Sequence, residues 1–64
     1  MFKALVVDDH PFIRSSVRML LKLEGFEVVG EADNGADAVQ LTRELTPDLI
    51  ILDIAKYQPG VPFA

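Results

Sequence analysis

The chain has 64 residues, half of them hydrophobic, with no cysteine and a formal charge of -4. That length allows one domain at most, with a core of only marginal stability and no disulfide to support it. Net acidity argues against the chain itself gripping nucleic acid, and no apolar run approaches the ~20 residues of a membrane span. The absence of cysteine fits a cytoplasmic protein. Met1-Phe2-Lys3 runs straight into an apolar stretch, so no signal peptide is expected.

That stretch is Ala4-Leu5-Val6-Val7, and it ends in Asp8-Asp9. A short unbroken apolar run rich in β-branched residues predicts a strand buried on both faces, as in a parallel sheet. Pro11 suits the first position of a helix, with His10 at the cap. From Pro11 to Glu24 the residues Ile13, Val17, Leu20 and Leu21 share one helical face, widened by Phe12, Met19 and Leu23. Gly25 is a natural stop. Arg14, Arg18 and Lys22 recur every four residues as a basic stripe. Such a stripe is either a solvated face or a docking surface for an acidic partner.

Phe26 to Ala32 predicts a second strand, and its Glu27, Gly30 and Glu31 suit a sheet edge. Asp33-Asn34-Gly35 is a turn signal. Ala36 to Leu45 predicts a second helix, with Ala38, Leu41, Thr42 and Leu45 on one face. It ends at Thr46-Pro47, because the residue before proline avoids the helical region. Asp48 to Asp53 predicts a third strand whose four central residues, Leu49 to Leu52, are all apolar. It too reads as buried on both faces.

The order β-α-β-α-β with short connections implies parallel strands and right-handed crossovers. An edge-like second strand beside two buried ones gives the spatial order 2-1-3, with the helices on opposite faces. A crevice then opens at the carboxyl ends of the first and third strands. Asp8, Asp9 and Asp53 meet there. Crowded carboxylates near a core repel one another and lose hydration, so a cation is expected to offset the cost. Oxygen donors with open water positions suit Mg²⁺. The site could simply hold a metal, or one carboxylate could attack a phosphoryl group while Mg²⁺ neutralises the developing charge. The bland alternative makes Asp8 and Asp9 helix-capping acids and Asp53 an ordinary strand-end residue. A nucleotide is disfavoured, because the turn after the first strand is Asp-Asp-His-Pro and has no glycine to let backbone N–H groups approach phosphate. His10 reads as an ordinary surface residue, with a metal ligand or general base as the alternative.

Three motifs carry a family resemblance: Leu-Val-Val-Asp-Asp-His-Pro at 5–11, Glu-Ala-Asp-Asn-Gly-Ala-Asp-Ala at 31–38, and Pro-Asp-Leu-Ile-Ile-Leu-Asp-Ile at 47–54. The chain resembles the receiver domain of two-component response regulators. Asp-Asp-His-Pro resembles the subfamily fused to a LuxR/NarL-type DNA-binding domain. The resemblance implies a partial flavodoxin-like α/β fold for residues 1–54. It implies a phosphoacceptor module in transcriptional control rather than an enzyme. Asp53 matches the residue that takes a phosphoryl group from a histidine kinase. Asp8 and Asp9 match the acidic pair that holds Mg²⁺, and the backbone carbonyl of Ala55 matches a further metal ligand. The basic face of the first helix lies where receivers commonly meet the kinase.

The departures carry expectations too. A receiver is roughly twice this length, and its Ser/Thr and Lys at the ends of strands four and five have no counterpart here. Residues 55–64 depart from the family pattern and read as an irregular tail, its two prolines and glycine arguing against a helix. The chain alone should therefore accept phosphate poorly. DNA contact would need a domain outside this sequence. The third strand, inner in a whole receiver, becomes an outer strand here. A homo-oligomer through strand 48–53 or helix 11–24 is expected to cover the exposed apolar surface. Two rival functions remain: a half-domain that self-associates or binds a kinase without signalling, and a simple Mg²⁺-binding α/β protein.

Overall fold

The computed structural model describes residues 1–53. The expected tail and the Ala55 carbonyl lie outside the described residues. Strand β1 runs Lys3–Asp8, helix α1 Pro11–Leu23, strand β2 Glu27–Ala32, helix α2 Gly35–Leu45 and strand β3 Leu49–Asp53. The three strands form one sheet in the order β2-β1-β3, and both pairings are parallel. The α/β class and the 2-1-3 order are those the sequence implied.

Side chains of β1 alternate between two small cores. Ala4 and Val6 face α1, where Leu21 is buried and Val17, Phe26, Val28, Leu49 and Ile51 pack around them. Leu5 and Val7 face α2 and meet Ala32, Ala38 and Leu41. The helices therefore lie on opposite faces.

Each helix ends for a local reason. After α1, Gly25 takes φ 89°, the left-handed region that favours glycine. Phe26 N–H then donates to the Leu21 carbonyl at 2.9 Å, and Gly25 N–H to the Lys22 carbonyl at 3.1 Å. These two bonds are the Schellman arrangement, and Phe26 packs against the core cluster that contains Leu21. Helix α2 starts one residue earlier than expected. Asn34 caps it by accepting from the Asp37 N–H at 2.9 Å. It stops at Thr46, which is also left-handed at φ 45° and precedes Pro47.

One expectation is corrected. Strand β3 is not buried on both faces. Leu49 and Ile51 are half-buried, but Ile50 is 41% exposed and Leu52 65% exposed. The helices lie over β1 and β2, and neither extends across β3. The apolar face of α1 is also only partly used. Leu21 and Val17 pack inward, while Phe12, Ile13, Met19, Leu20 and Leu23 are exposed.

Strand β2 also carries an irregularity. Ala4 pairs with Val28, but Leu5 pairs with Gly30, so Val29 is an extra residue, a bulge in the β1–β2 ladder. Past it, the alternation changes phase. Gly30 comes to lie beneath Leu41 and Leu45 of α2, and Glu31 turns toward α1.

Candidate acidic site

Asp8 is the last residue of β1, and its partner in the parallel ladder is Asp53, the last residue of β3. Neighbouring strands lie about 4.8 Å apart, so this register sets the two residues side by side at the carboxyl edge of the sheet. Asp9 follows directly. The topology thus sets Asp53 beside an acid pair that stands far from it in sequence.

Their surroundings differ. Asp8 is 2% exposed, and Asp9 and Asp53 are exposed. An Asp8 oxygen, Oδ1, accepts the His10 backbone N–H at 2.8 Å, which folds the chain from strand into helix. Asp8 thus braces the turn into α1 through the N–H of the N-cap residue rather than capping the helix's own N–H groups. A carboxylate has two oxygens, so this bond does not exhaust it. His10 is the N-cap of α1 but makes no side-chain capping bond. Its ring turns toward the acids instead, with Nδ1 2.9 Å from Asp9 Oδ1 and 3.6 Å from Asp8 Oδ1. Asp8, Asp9 and His10 each offer one ligand atom, and the three atoms lie within 4.8 Å of one another. Asp53 is not in that tight trio, and its place at the site rests on the ladder register opposite Asp8.

A second charged group supports the site from behind. Arg14 Nη1 donates to the Asp8 carbonyl at 2.9 Å. Arg14 Nε lies 3.4 Å from Glu31 Oε1, and Arg18 Nη1 lies 3.2 Å from Glu31 Oε2. Two members of the basic stripe are therefore engaged with β2 and the end of β1 rather than simply solvated. Sequence reasoning missed this role for Arg14 and Glu31, because the bulge that turns Glu31 toward α1 left no mark in the apolar pattern.

The donor set suits a hard dication. Two adjacent carboxylates, one of them buried, carry negative charge that a cation would offset, and the exposure of Asp9 leaves room for water ligands. Among the described residues, no buried side-chain polar atom lacks a hydrogen-bond partner, so the fit rests on charge and donor chemistry.

The family model for the response regulator receiver domain matches residues 4–55. A Pseudomonas aeruginosa protein is 61% identical over 62 residues, 97% of this chain and 28% of that relative. The response regulator GacA of Pseudomonas aeruginosa is 48% identical over 62 residues, 95% of this chain and 28% of its own length. The nitrate/nitrite response regulator NarP of Escherichia coli is 50% identical over 54 residues, 83% of this chain and 25% of its own length. The chain thus spans roughly a quarter of the curated relatives it matches. The likeness to NarP agrees with the subfamily that Asp-Asp-His-Pro suggested. The strand order, the acids at the carboxyl edge and the match across residues 4–55 lead to one conclusion: the chain belongs to the receiver-domain family of response regulators.

Proposed function

We propose that this chain is the phosphoacceptor portion of a response regulator that controls transcription, with Asp53 taking a phosphoryl group from a sensor histidine kinase. The observation that carries the reading is the Asp8–Asp53 register, with Asp9 next in sequence. A carboxylate oxygen of Asp53, exposed at the strand end, forms the new P–O bond as the bond from phosphorus to the donor nitrogen breaks. The nitrogen leaves with the bonding pair. Asp8, Asp9 and Asp53 would hold Mg²⁺, with the Ala55 carbonyl, outside the described residues, as a further ligand. When bound, Mg²⁺ neutralises charge on the phosphoryl oxygens. Asp8, fixed by the His10 N–H, keeps the acid pair at the sheet edge. Binding DNA belongs to a domain outside this sequence, and the parent acts in the cytoplasm. Among the described residues no helix is long and apolar enough to cross a membrane.

Of the basic stripe, Arg14 and Arg18 are engaged with Glu31. Kinase docking on α1 therefore rests more on Lys22 and the exposed apolar residues than on three open cations. A second reading, a self-associating or kinase-binding module that does not signal, is supported by the exposed Ile50 and Leu52 on β3 and by the bare residues of α1.

A small phosphodonor separates the readings. Intact mass after incubation with acetyl phosphate and Mg²⁺ should show slow, partial addition of one phosphoryl group. It should vanish in Asp53→Asn and on chelation of the metal. Rapid stoichiometric labelling would contradict the expected need for further phosphate-binding groups. Label that survives Asp53→Asn, or none after hours, would overturn the phosphoacceptor reading.

A further inference from the structure

We propose that Arg14 and Glu31 are a positioning pair for the acidic site. Arg14 fixes the Asp8–Asp9 peptide, and Glu31 cancels the guanidinium's charge so that it does not repel a cation bound by the acids. The proposal rests on the reading of Asp8 and Asp9 as cation ligands.

The peptide that joins Asp8 to Asp9 has its carbonyl held by Arg14 Nη1 at 2.9 Å. A peptide is planar, so pinning its oxygen also fixes the direction of the Asp9 N–H and the position of the Asp9 Cα from which its side chain departs. Asp8 itself is buried and tied to His10 N–H. Asp9 is the exposed member, and its side chain meets the exposed His10 ring. Arg14 therefore supplies an anchor for the acid that has fewest.

A guanidinium is always charged, and one placed beside a cation site should weaken it. Glu31 lies on the far side of Arg14, with Oε1 3.4 Å from Nε, and its other oxygen faces Arg18. Arg14 is thus held as a fork: one arm on the carbonyl, the Nε edge on the carboxylate. Lysine, with a single ammonium, cannot hold both. The bulge at Val29 makes this possible, because without the phase change Glu31 would face α2. Groups behind metal ligands commonly matter at about 10–100-fold in affinity.

The test is Mg²⁺ titration of the 64-residue chain, followed by the backbone amide signals of Asp9 and His10. Arg14→Lys should bind Mg²⁺ about tenfold more weakly, at the low end of that range. Its Asp9 amide should also shift before any metal is added. Glu31→Gln should lose affinity in a salt-sensitive way, because the uncancelled guanidinium repels the ion and salt screens it. Arg18→Gln, which touches Glu31 but not Asp8, should stay within about twofold, since its effect on the site is only indirect. Unfolding curves show whether each variant is folded. A folded Arg14→Lys with wild-type affinity and an unmoved Asp9 amide overturns the proposal. If Arg14→Lys does not fold, Glu31→Gln decides: wild-type affinity at low salt overturns it. If the wild-type chain ignores millimolar Mg²⁺, the metal reading fails, and the metal-free Asp9 amide shift in Arg14→Lys still decides the positioning role.

Discussion

Strands β1 and β3 have nearly the same sequence character: four apolar residues and a terminal aspartate. Their environments differ sharply. Ala4, Leu5, Val6 and Val7 are all fully buried, whereas Ile50 and Leu52 are largely exposed. The difference lies in their neighbours. β1 has a strand on each side and a helix on each face, while β3 has β1 on one side and, among the described residues, no helix crossing it. An unbroken apolar run therefore states that a strand needs cover on both faces. It does not state that the cover comes from the same stretch of chain.

The largest expected effect breaks that comparison directly. Leu5→Ala removes a side chain enclosed by Val7, Ala32 and Ala38, and buried Leu→Ala changes cost about 2–5 kcal/mol. A domain this small should lose its cooperative transition in urea. Leu52→Ala, on the bare strand, should cost less than about 0.5 kcal/mol in the monomer, as exposed substitutions usually do. Equal losses would mean that β3 is covered in solution.

The next effect concerns that cover. Ile50 and Leu52 line an apolar groove with Ala38, Val39 and Thr42 of α2, and the groove is rimmed by Gly35 and Arg43. If a second copy buries it, Leu52→Lys should forfeit roughly 1.5–3 kcal/mol of apolar burial. That weakens association about tenfold or more. Sedimentation at micromolar concentration should show the wild-type chain larger than a monomer and Leu52→Lys shifted toward one. A wild-type chain that sediments as a stable monomer would defeat the self-association reading.

The flank on the other side of β1 should behave oppositely. A Cβ at Gly30 would lie 2.9 Å from Leu45 Cδ1 and 3.3 Å from Leu5 Cδ1. Gly30→Ala should therefore cost about 1–3 kcal/mol through overpacking, unless Leu45 swings aside. Ile50→Phe, an enlargement on β3, should be close to neutral in the monomer. Urea midpoints of the two variants give the contrast.

Much of this was legible in the residues. Period-2 and period-3.6 patterns, Gly25 and Pro47 placed all five elements, and the contrast in apolarity between strands gave the 2-1-3 order. That Asp53 ends its strand beside the end of β1 followed from the strand ends, while the register of Asp8 against Asp53 came from the structure. What stayed hidden had specific causes. Val28-Val29-Gly30-Glu31 offers an apolar residue to each face, so nothing in it marks Val29 as a bulge. Without that bulge Glu31 points away from α1, and Arg14 and Arg18 look like an open basic stripe. The bare face of β3 was hidden differently. Burial depends on where α2 lies across the sheet, and an amphipathic pattern fixes which face of a helix is inward but not which strands it covers.

The smallest effect sharpens the comparison at the turn between its covered and bare parts. Thr46 joins α2 to β3 with φ 45° and ψ 59°. A β-branched residue is a poor occupant of the left-handed region, whose cost for non-glycine residues is about 1–2 kcal/mol. Glycine would remove that cost but would loosen the unfolded chain, giving back about 0.5–1 kcal/mol. Asparagine tolerates the conformation without that entropy loss, since its short polar side chain can bond locally. Thr46→Asn should therefore stabilise the chain by about 0.5 kcal/mol. For a domain this size that is roughly 2–4 °C in melting temperature. Because Thr46 lies outside the apolar groove, its sedimentation should match wild type. A rise in melting temperature with unchanged assembly would separate strain at the turn from exposure on the strand that follows it. A lower melting temperature would show that the Thr46 hydroxyl or methyl group contributes more than the backbone conformation costs.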